Sequence, residues 1–152
     1  MQTHTQTVKT EDQPPLTDML CFALYSATHA MHAAYKPLLD GLGLTYPQYL
    51  VLVSLWGRDD QTVGTLGVAL HLDSNTLTPL LKRMATAGLL TRQRDSIDER
   101  QVRIRLTDRG RLLQQHSSRL TDCIFRQSGL DMPGLVDLQT RIIALRDHLR
   151  PA

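Results

Sequence analysis

The chain has 152 residues, of which 41% are hydrophobic and 21% charged, and it contains two cysteines. This composition fits one soluble globular domain. The N-terminus lacks a positive segment followed by an apolar one, and no apolar run reaches the roughly 20 residues of a membrane span. We therefore expect a cytoplasmic protein without a signal peptide or membrane contact, whose cysteines are reduced at rest.

The charge of the chain is unevenly distributed, although the net charge is only +2. Residues 82–111 contain nine basic and four acidic residues, a net charge of +5, which leaves −3 on the rest of the chain. A basic segment on a mildly acidic body is typical of a protein that binds a polyanion. A solvated charged hairpin would give the same count.

The first half of the chain predicts an arm followed by helices. Residues 1–14 are polar and aperiodic and are expected to form a flexible arm. From about residue 15 to residue 39 apolar side chains recur at helical spacing, which predicts one long helix. Thr45-Tyr46-Pro47-Gln48 is a capping-box pattern that predicts a second helix ending near Gly57. Next come a short helix over about 63–70 and a helix capped by Asp73-Ser74-Asn75 that ends at Gly88.

The second half of the chain predicts a hairpin and two further helices. Residues 89–94 and 101–106 alternate in polarity and predict two strands joined by a six-residue tip. Thr107 predicts the cap of a helix over about 108–128, and a last helix spans about 133–149. The order of elements predicts a mainly α fold with a small β-hairpin, a winged helix-turn-helix, within a single domain over residues 15–152.

The helix that follows Asp73 has the features of a DNA recognition helix. Such a helix enters the major groove end-on, so its first residues must be short and polar to reach base edges. The candidates at this end are Ser74, Asn75, Thr76 and Thr78. The candidate contacts to phosphates or the minor groove are Lys82, Arg83, Arg92, Arg94, Arg100, Arg103 and Arg105. An ordinary capped helix with exposed basic residues would look similar, so the interpretation depends on helix, hairpin and charge occurring in this order.

Several segments together resemble the MarR family of transcription regulators. They are Val63-Gly64-Thr65-Leu66-Gly67, residues 72–84, Ala87-Gly88-Leu89-Leu90, residues 95–102 and Leu106-Thr107-Asp108-Arg109-Gly110. Within them, Leu77-Thr78-Pro79-Leu80-Leu81-Lys82-Arg83 is similar to the organic-hydroperoxide-resistance regulator (OhrR) subgroup. The resemblance extends over about residues 16–149.

This resemblance implies a MarR-like homodimer that binds near-palindromic double-stranded operator DNA, usually as a repressor. Family members dimerise through their first, fifth and sixth helices, here about 15–40, 108–128 and 133–149. The DNA-binding part would then span about 45–106. The resemblance also implies that Asp73 pairs with Arg100 and holds the wing against the recognition helix.

Cys21 is the candidate signal-sensing residue. Along one straight helix Cys21 and Tyr35 would lie roughly 21 Å apart, yet on the same face. They cannot touch within a subunit, whereas in a two-fold dimer Cys21 could meet Tyr35 and Tyr46 of the other subunit. Phenol hydroxyls that donate to the sulfur would favour the thiolate, which is the form that attacks a peroxide.

The OhrR resemblance implies the chemistry that follows. It makes Cys21 the peroxide-reactive thiol and Tyr35 and Tyr46 its hydrogen-bond donors, with Tyr25 as an additional candidate. In two-cysteine members a cysteine of the other subunit resolves the oxidised thiol, and Cys123 is in a suitable place to form this intersubunit disulfide. Organic hydroperoxides would be the signal, and the disulfide would release the operator.

Other interpretations remain open at this point. Cys21 could be a plain core cysteine and the tyrosines interface residues, in a regulator of the same fold that a phenolic ligand releases. A thiol-dependent peroxidase is a third possibility, but the chain has no CxxC and no set of nucleophile, base and orienting residue. We therefore expect no enzymatic activity. His29 and His32 are spaced for a metal, but no second ligand pair accompanies them, so we expect no metal and no cofactor.

Overall fold

The computed structural model describes residues 14–150, so residues 1–13 of the predicted arm lie outside the described part. The described chain is mostly helical with a small antiparallel sheet. The helices are α1 (Leu20–Asp40), α2 (Tyr46–Gly57), α3 (Val63–Leu70), α4 (Ser74–Thr86), α5 (Asp108–Leu112), α6 (Ser117–Gln127) and α7 (Met132–Leu149). The strands are β1 (Gln61–Thr62), β2 (Leu90–Arg94) and β3 (Val102–Leu106).

The long first helix begins later than its apolar spacing predicts. A 3₁₀ turn, Leu16–Asp18, comes first, and Met19 then adopts an extended conformation with φ −85° and ψ 119°. This break starts α1 at Leu20 and leaves Cys21 in its first turn. The helix then continues without interruption to Asp40, so Cys21 and Tyr35 lie on one helix, as predicted.

The core lies between α2, α3, α4 and the sheet. Helix α4 contributes Leu77, Leu80, Leu81 and Met84, all buried, at the three- and four-residue spacing of one helical face. The opposite face of α4 begins with exposed polar residues and therefore remains free to contact another molecule. This arrangement of α3, α4 and the β2–β3 hairpin confirms the predicted winged helix-turn-helix.

The sheet has a third strand that the sequence did not predict. Strand β1 pairs with β3, which in turn pairs with β2, so the strand order is β1-β3-β2. Two residues are too few to show alternation in a sequence. Gln61 in this strand is buried, and its side-chain amide donates to the carbonyl oxygens of Ser54 and Arg58. These bonds satisfy the buried amide and attach β1 to the end of α2.

The predicted single helix over residues 108–128 is divided. Helix α5 ends at Leu112, a 3₁₀ segment covers Leu113–His116, and α6 starts at Ser117. The Trp56 indole N–H donates to the Gly110 carbonyl oxygen at 2.9 Å, directly before the tightened turn. A side chain that inserts into the helical ladder in this way is a known cause of irregularity. Gly110 is also buried against the Leu89 carbonyl, where a Cβ atom would have no room.

The two outer helices expose apolar side chains that this chain does not cover. On α7 the exposed residues include Val136, Leu138, Ile142 and Ile143, and on α1 they include Leu20, Tyr25 and Met31. Large apolar side chains left exposed on outer helices are typical of a protein–protein interface. Within residues 14–150, no helix combines the length and apolar character needed to cross a membrane.

Candidate thiol site and nucleic-acid interface

A cluster of phenols lies where the second half of α1 meets the start of α2. The ring centroids of Tyr35 and Tyr46 are 5.0 Å apart, and Tyr49 lies 5.9 Å from Tyr35 and 6.4 Å from Tyr46. His32 packs on Tyr46 at 4.6 Å. The structure thus brings the two predicted tyrosines together and adds Tyr49, which its position one turn after Tyr46 could have indicated.

These phenols remain protonated at neutral pH. Burial, with the neighbouring Tyr46 and Tyr49, raises the pKa of Tyr35 to about 12. Burial, followed by the effect of Tyr49, also raises the pKa of Tyr46 above its usual value. Both hydroxyl groups therefore keep the proton that they would donate to an anion at the cluster.

Cys21 is separated from this cluster within its own chain. It is exposed in the first turn of α1, and among the described residues no hydrogen bond reaches its sulfur. Tyr35 lies fourteen residues further along the same helix, roughly 21 Å away at 1.5 Å per residue. Tyr25 is 60% exposed and stacks on His29 at 4.2 Å, outside the cluster.

Cys123 lies on α6, the helix that packs against α1. It is partly buried, and the Gln127 amide lies 3.2 Å from its sulfur as a hydrogen-bond donor. Within this chain Cys21 and Cys123 are both free thiols. The approach of Cys21 to Cys123 stays a prediction.

A largely apolar cavity of about 710 Å³ adjoins the tyrosine cluster. Tyr35 and Tyr46 form part of its wall. Helices α6 and α7 supply most of the remainder, including Phe125 and Ile142, and Arg146 contributes a positive charge. The cavity is therefore suited to an organic group next to the phenol hydroxyls.

The start of α4 presents the predicted DNA-reading residues to solvent. The Asp73 carboxylate accepts the Thr76 backbone N–H at 2.8 Å and caps the helix. This bond fixes the helix end that would enter a groove. The predicted residues on this helix are exposed or half-buried: Ser74, Asn75, Thr76, Thr78, Lys82 and Arg83.

The arginines of the wing differ in their surroundings. Arg103 binds Asp60 at 2.7 Å and Asp95 at 3.1 Å, and it also donates to the Asp60 carbonyl at 2.8 Å. Arg105 binds Asp60 as well, at 3.0 Å. These ion pairs anchor the hairpin to the loop after α2, so Arg103 has a structural role besides its predicted DNA contact. Arg94 and Arg100 are exposed, and Arg92 is half-buried.

Asp73 and Arg100, which the family resemblance pairs with one another, have other partners in this structure. Asp73 caps α4, and Arg100 instead binds Asp98 at 3.1 Å within the wing tip. Capping engages one oxygen of the Asp73 carboxylate, and Arg100 has its acidic neighbour only two residues away. The wing is instead positioned by Asp60, which sequence reasoning missed because it lies 43 residues from Arg103 in the chain.

Asp60→Asn tests this anchor. Hydrogen bonds from Arg103 and then Arg105 lower the pKa of Asp60 from 3.8 to about 2. The carboxylate therefore stabilises the fold fully above its ordinary pKa, and this contribution is lost as the pH falls through about 2. Asparagine tolerates the local φ of 57°, and it replaces the carboxylate by a neutral amide that keeps only one acceptor oxygen.

We expect the variant to melt below the wild type near neutral pH. The difference should shrink as the pH falls from the ordinary range of a carboxyl towards that of the bound one. Thermal unfolding followed by circular dichroism across this range measures the difference. A gap between the two melting temperatures that is the same at every pH contradicts the anchoring role.

Comparisons with known proteins agree on one kind of protein. A family model described as transcriptional regulator SarA/Rot matches residues 33–116. The chain is 47% identical over 127 residues to the organic hydroperoxide resistance transcriptional regulator of Bacillus subtilis (strain 168), an alignment that covers 82% of this chain and 86% of the relative.

Solved structures of AbfR, a protein of Staphylococcus epidermidis, are also similar. Reduced AbfR bound to DNA matches with a TM-score of 0.72 at 36% identity, covering 89% of this chain and 94% of AbfR. AbfR with a disulfide formed matches with a TM-score of 0.61 at 37% identity, covering 86% and 91%.

Proposed function

Since this chain belongs to the MarR family of transcription regulators and is similar to the organic hydroperoxide resistance regulators, we propose that it is a homodimeric repressor that senses organic hydroperoxides through Cys21. In this proposal residues 15–152 form one MarR-type domain. Residues of about 45–106 bind the operator. The outer helices, about 15–40, 108–128 and 133–149, form the dimer through the apolar faces that they expose.

The surface formed by α4 and the wing supports binding of double-stranded operator DNA. The exposed start of α4 has the short polar side chains that can reach base edges in the major groove. The hairpin supplies cations on the same side of the domain for the phosphates. Reduced AbfR was solved bound to DNA, and this chain resembles that protein over 89% of its length.

The phenol cluster is the observation that carries the sensing proposal. Tyr35 and Tyr46 present protonated hydroxyls beside an apolar cavity. The thiol that lies on the same face of α1 cannot reach them within its own subunit. In a two-fold dimer whose first helices cross, Cys21 of one subunit meets the phenols of the other. The hydroxyls then donate to the sulfur and favour the thiolate.

The sensing reaction takes two steps. The Cys21 thiolate attacks one oxygen of the hydroperoxide, so that an S–O bond forms as the O–O bond breaks. The alkoxide leaves, takes up a proton and becomes an alcohol, and Cys21 becomes a sulfenic acid. The Cys123 thiol of the other subunit then attacks the oxidised sulfur, forming a disulfide and releasing water.

The disulfide would act on DNA binding through geometry. A disulfide requires Cα atoms within about 7 Å of one another. Bringing Cys21 of one subunit to this distance from Cys123 of the other shifts α1 of the first subunit against α6 of the second. Each winged helix is connected to these helices and moves with them. The recognition helices then no longer match two half-sites one helical turn, about 34 Å, apart. Oxidised dimers therefore leave the operator.

A second candidate input is a phenolic ligand, favoured by the cavity of about 710 Å³. A phenol in this cavity would contact α2, α6 and α7 and could change the spacing of the winged helices without any oxidation. In that case the cysteines would be incidental. The two inputs predict opposite responses to reducing conditions.

The test combines a gel-shift assay with a non-reducing gel. Cumene hydroperoxide should release operator DNA from the wild-type protein and convert the protein into a covalent dimer. Dithiothreitol should reverse both effects. Cys123→Ser should give no covalent dimer with the same oxidant, because its sulfenic acid has no resolving thiol. Release by a non-oxidising phenol in dithiothreitol, together with no response to the hydroperoxide, would select the ligand-released regulator instead.

A further inference from the structure

A cleft of about 360 Å³ separates the wing from the recognition helix. Its apolar side consists of Val63, Gly64 and Val102. The polar residues that line it are Thr62, Ser74, Thr78, Arg92, Arg100 and Gln101. The lining thus includes two guanidinium groups and three hydroxyl groups but no carboxylate, so the cleft is chemically suited to an anion.

Arg92 faces this cleft because of its position in β2. Side chains alternate along a strand, so Arg92 lies on the same face as Leu90, which is buried in the core. In the register of the sheet Arg92 is paired with Ile104, also buried. The guanidinium group therefore extends past the edge of the core toward the start of α4.

Within residues 14–150 the Arg92 guanidinium forms no ion pair. Its Nε atom is shielded from solvent and has no hydrogen-bond acceptor within residues 14–150. A buried donor of this kind is stabilised when an acceptor is supplied. Arg103 and Arg105 on the neighbouring strand are different, since Asp60 and Asp95 already bind them.

Arg100 lies on the other side of the cleft, and its side chain is exposed to solvent. Its side chain is 92% exposed, and its bond to Asp98 is a surface ion pair within the wing tip. Such pairs contribute little stability and exchange readily for another anion. Asp73 caps α4, and within the described residues no ion pair joins the wing tip to the recognition helix.

We propose that this cleft binds one phosphate group of the operator backbone, held by Arg92 and Arg100 from the wing and by Ser74 and Thr78 from α4. The phosphate lies between wing and recognition helix and links them when DNA is bound. The inference rests on the proposed DNA-binding function and assigns a particular site to one phosphate. Since the hydroxyls and guanidiniums all donate, a phosphate oxygen satisfies each of them.

Operators with one phosphate at a time replaced by a neutral methylphosphonate test the site. We expect one position in each half-site whose replacement weakens wild-type binding about tenfold, the effect of losing a charged hydrogen bond. In Arg92→Gln the same replacement should cost clearly less than about tenfold, because one of the two guanidinium partners is already missing. Arg100→Gln, at an exposed position that leaves the core intact, should behave in the same way.

Arg94→Gln is the matched control, since it removes one guanidinium from the same strand but not from the cleft lining. It should keep the full loss at that phosphate. If Arg92→Gln and Arg100→Gln bind the operator yet lose the same factor as the wild type at every phosphate, the site is wrong. A wild type that binds no operator rejects the proposed function instead.

A free phosphate compound in solution could also occupy the cleft, and a separate experiment distinguishes it from the DNA backbone. Pyrophosphate is added to the reduced protein without DNA, and the melting temperature is recorded for the wild type and for Arg92→Gln. A rise for the wild type alone, combined with equal losses at every DNA phosphate, would assign the cleft to a free anion and overturn the DNA contact.

Discussion

Cys21→Ser should abolish operator release by cumene hydroperoxide while untreated protein binds the operator as the wild type does. A serine hydroxyl stays protonated at neutral pH and is not oxidised by a hydroperoxide, so the first step of the reaction is lost. Cys21 is exposed in the first turn of α1, outside the core and far along the chain from α4. The substitution therefore changes the signal and leaves the DNA-binding part unchanged.

The measurement is a gel-shift titration of the reduced protein with increasing hydroperoxide. Cys123→Ser is the informative comparison, because it retains the reactive thiol and loses only the disulfide. It should still form a sulfenic acid that a dimedone probe labels at Cys21, whereas Cys21→Ser should show no labelling. Normal release from Cys21→Ser would show that the sensor lies elsewhere.

Replacing Tyr35 and Tyr46 together by phenylalanine should slow the reaction of Cys21 with an alkylating agent by one to two orders of magnitude. A hydrogen bond to a charged group contributes about 1.5–3 kcal/mol, so losing the equivalent of one such bond corresponds to about tenfold to a hundredfold less thiolate. Both rings stay, and with them the packing between α1 and α2.

Alkylation is followed in Cys123→Ser protein, in which Cys21 is the remaining thiol. Tyr49→Phe is the matched control, since it removes a hydroxyl from the same cluster. That hydroxyl is not one of the two that the proposal assigns to Cys21. The control should react at the wild-type rate. Equal rates for the double phenylalanine variant and the wild type would exclude the phenols as donors.

The sequence predicted those parts of the fold that local chemistry specifies. The Thr45 capping box is present, with Gln48 accepting the Thr45 backbone N–H at 2.9 Å. Gly88 ends the recognition segment with a φ of 72°, where glycine has no steric penalty. The hairpin strands could be read from alternation because one face, with Leu90 and Ile104, is buried.

Features that depend on contacts between distant residues were not predictable in the same way. The bond between Trp56 and Gly110 joins residues 54 positions apart and accompanies the division of the helix after Thr107. The wing anchor at Asp60 likewise depends on strands meeting a loop. Periodicity and capping patterns depend on residues that are close together in the sequence, so they cannot predict either of these long-range contacts.

The candidate site also has features that the sequence predicts and features that depend on packing. The helical spacing of Cys21 and Tyr35 could be calculated from the sequence, and it was enough to separate the two within a subunit. That Tyr35, Tyr46 and Tyr49 form one cluster required the packing of α1 on α2. The Asp73–Arg100 pairing stays a prediction, since in the described residues Asp73 caps α4 and Arg100 binds Asp98.

The central claim is that each thiol is activated by the phenols of the other subunit, and mixed dimers test it directly. One subunit carries Cys21→Ser and Cys123→Ser, and its partner carries Tyr35→Phe, Tyr46→Phe and Cys123→Ser. Two different affinity tags isolate the mixed dimer, which holds a single Cys21 and a single intact phenol pair on opposite subunits.

Alkylation of that one thiol should proceed at the rate seen with intact phenols, and far faster than in the homodimer of the phenylalanine subunit. If the thiol in the mixed dimer reacts as slowly as in that homodimer, the phenols of the other subunit do not activate Cys21, and the intersubunit site is contradicted.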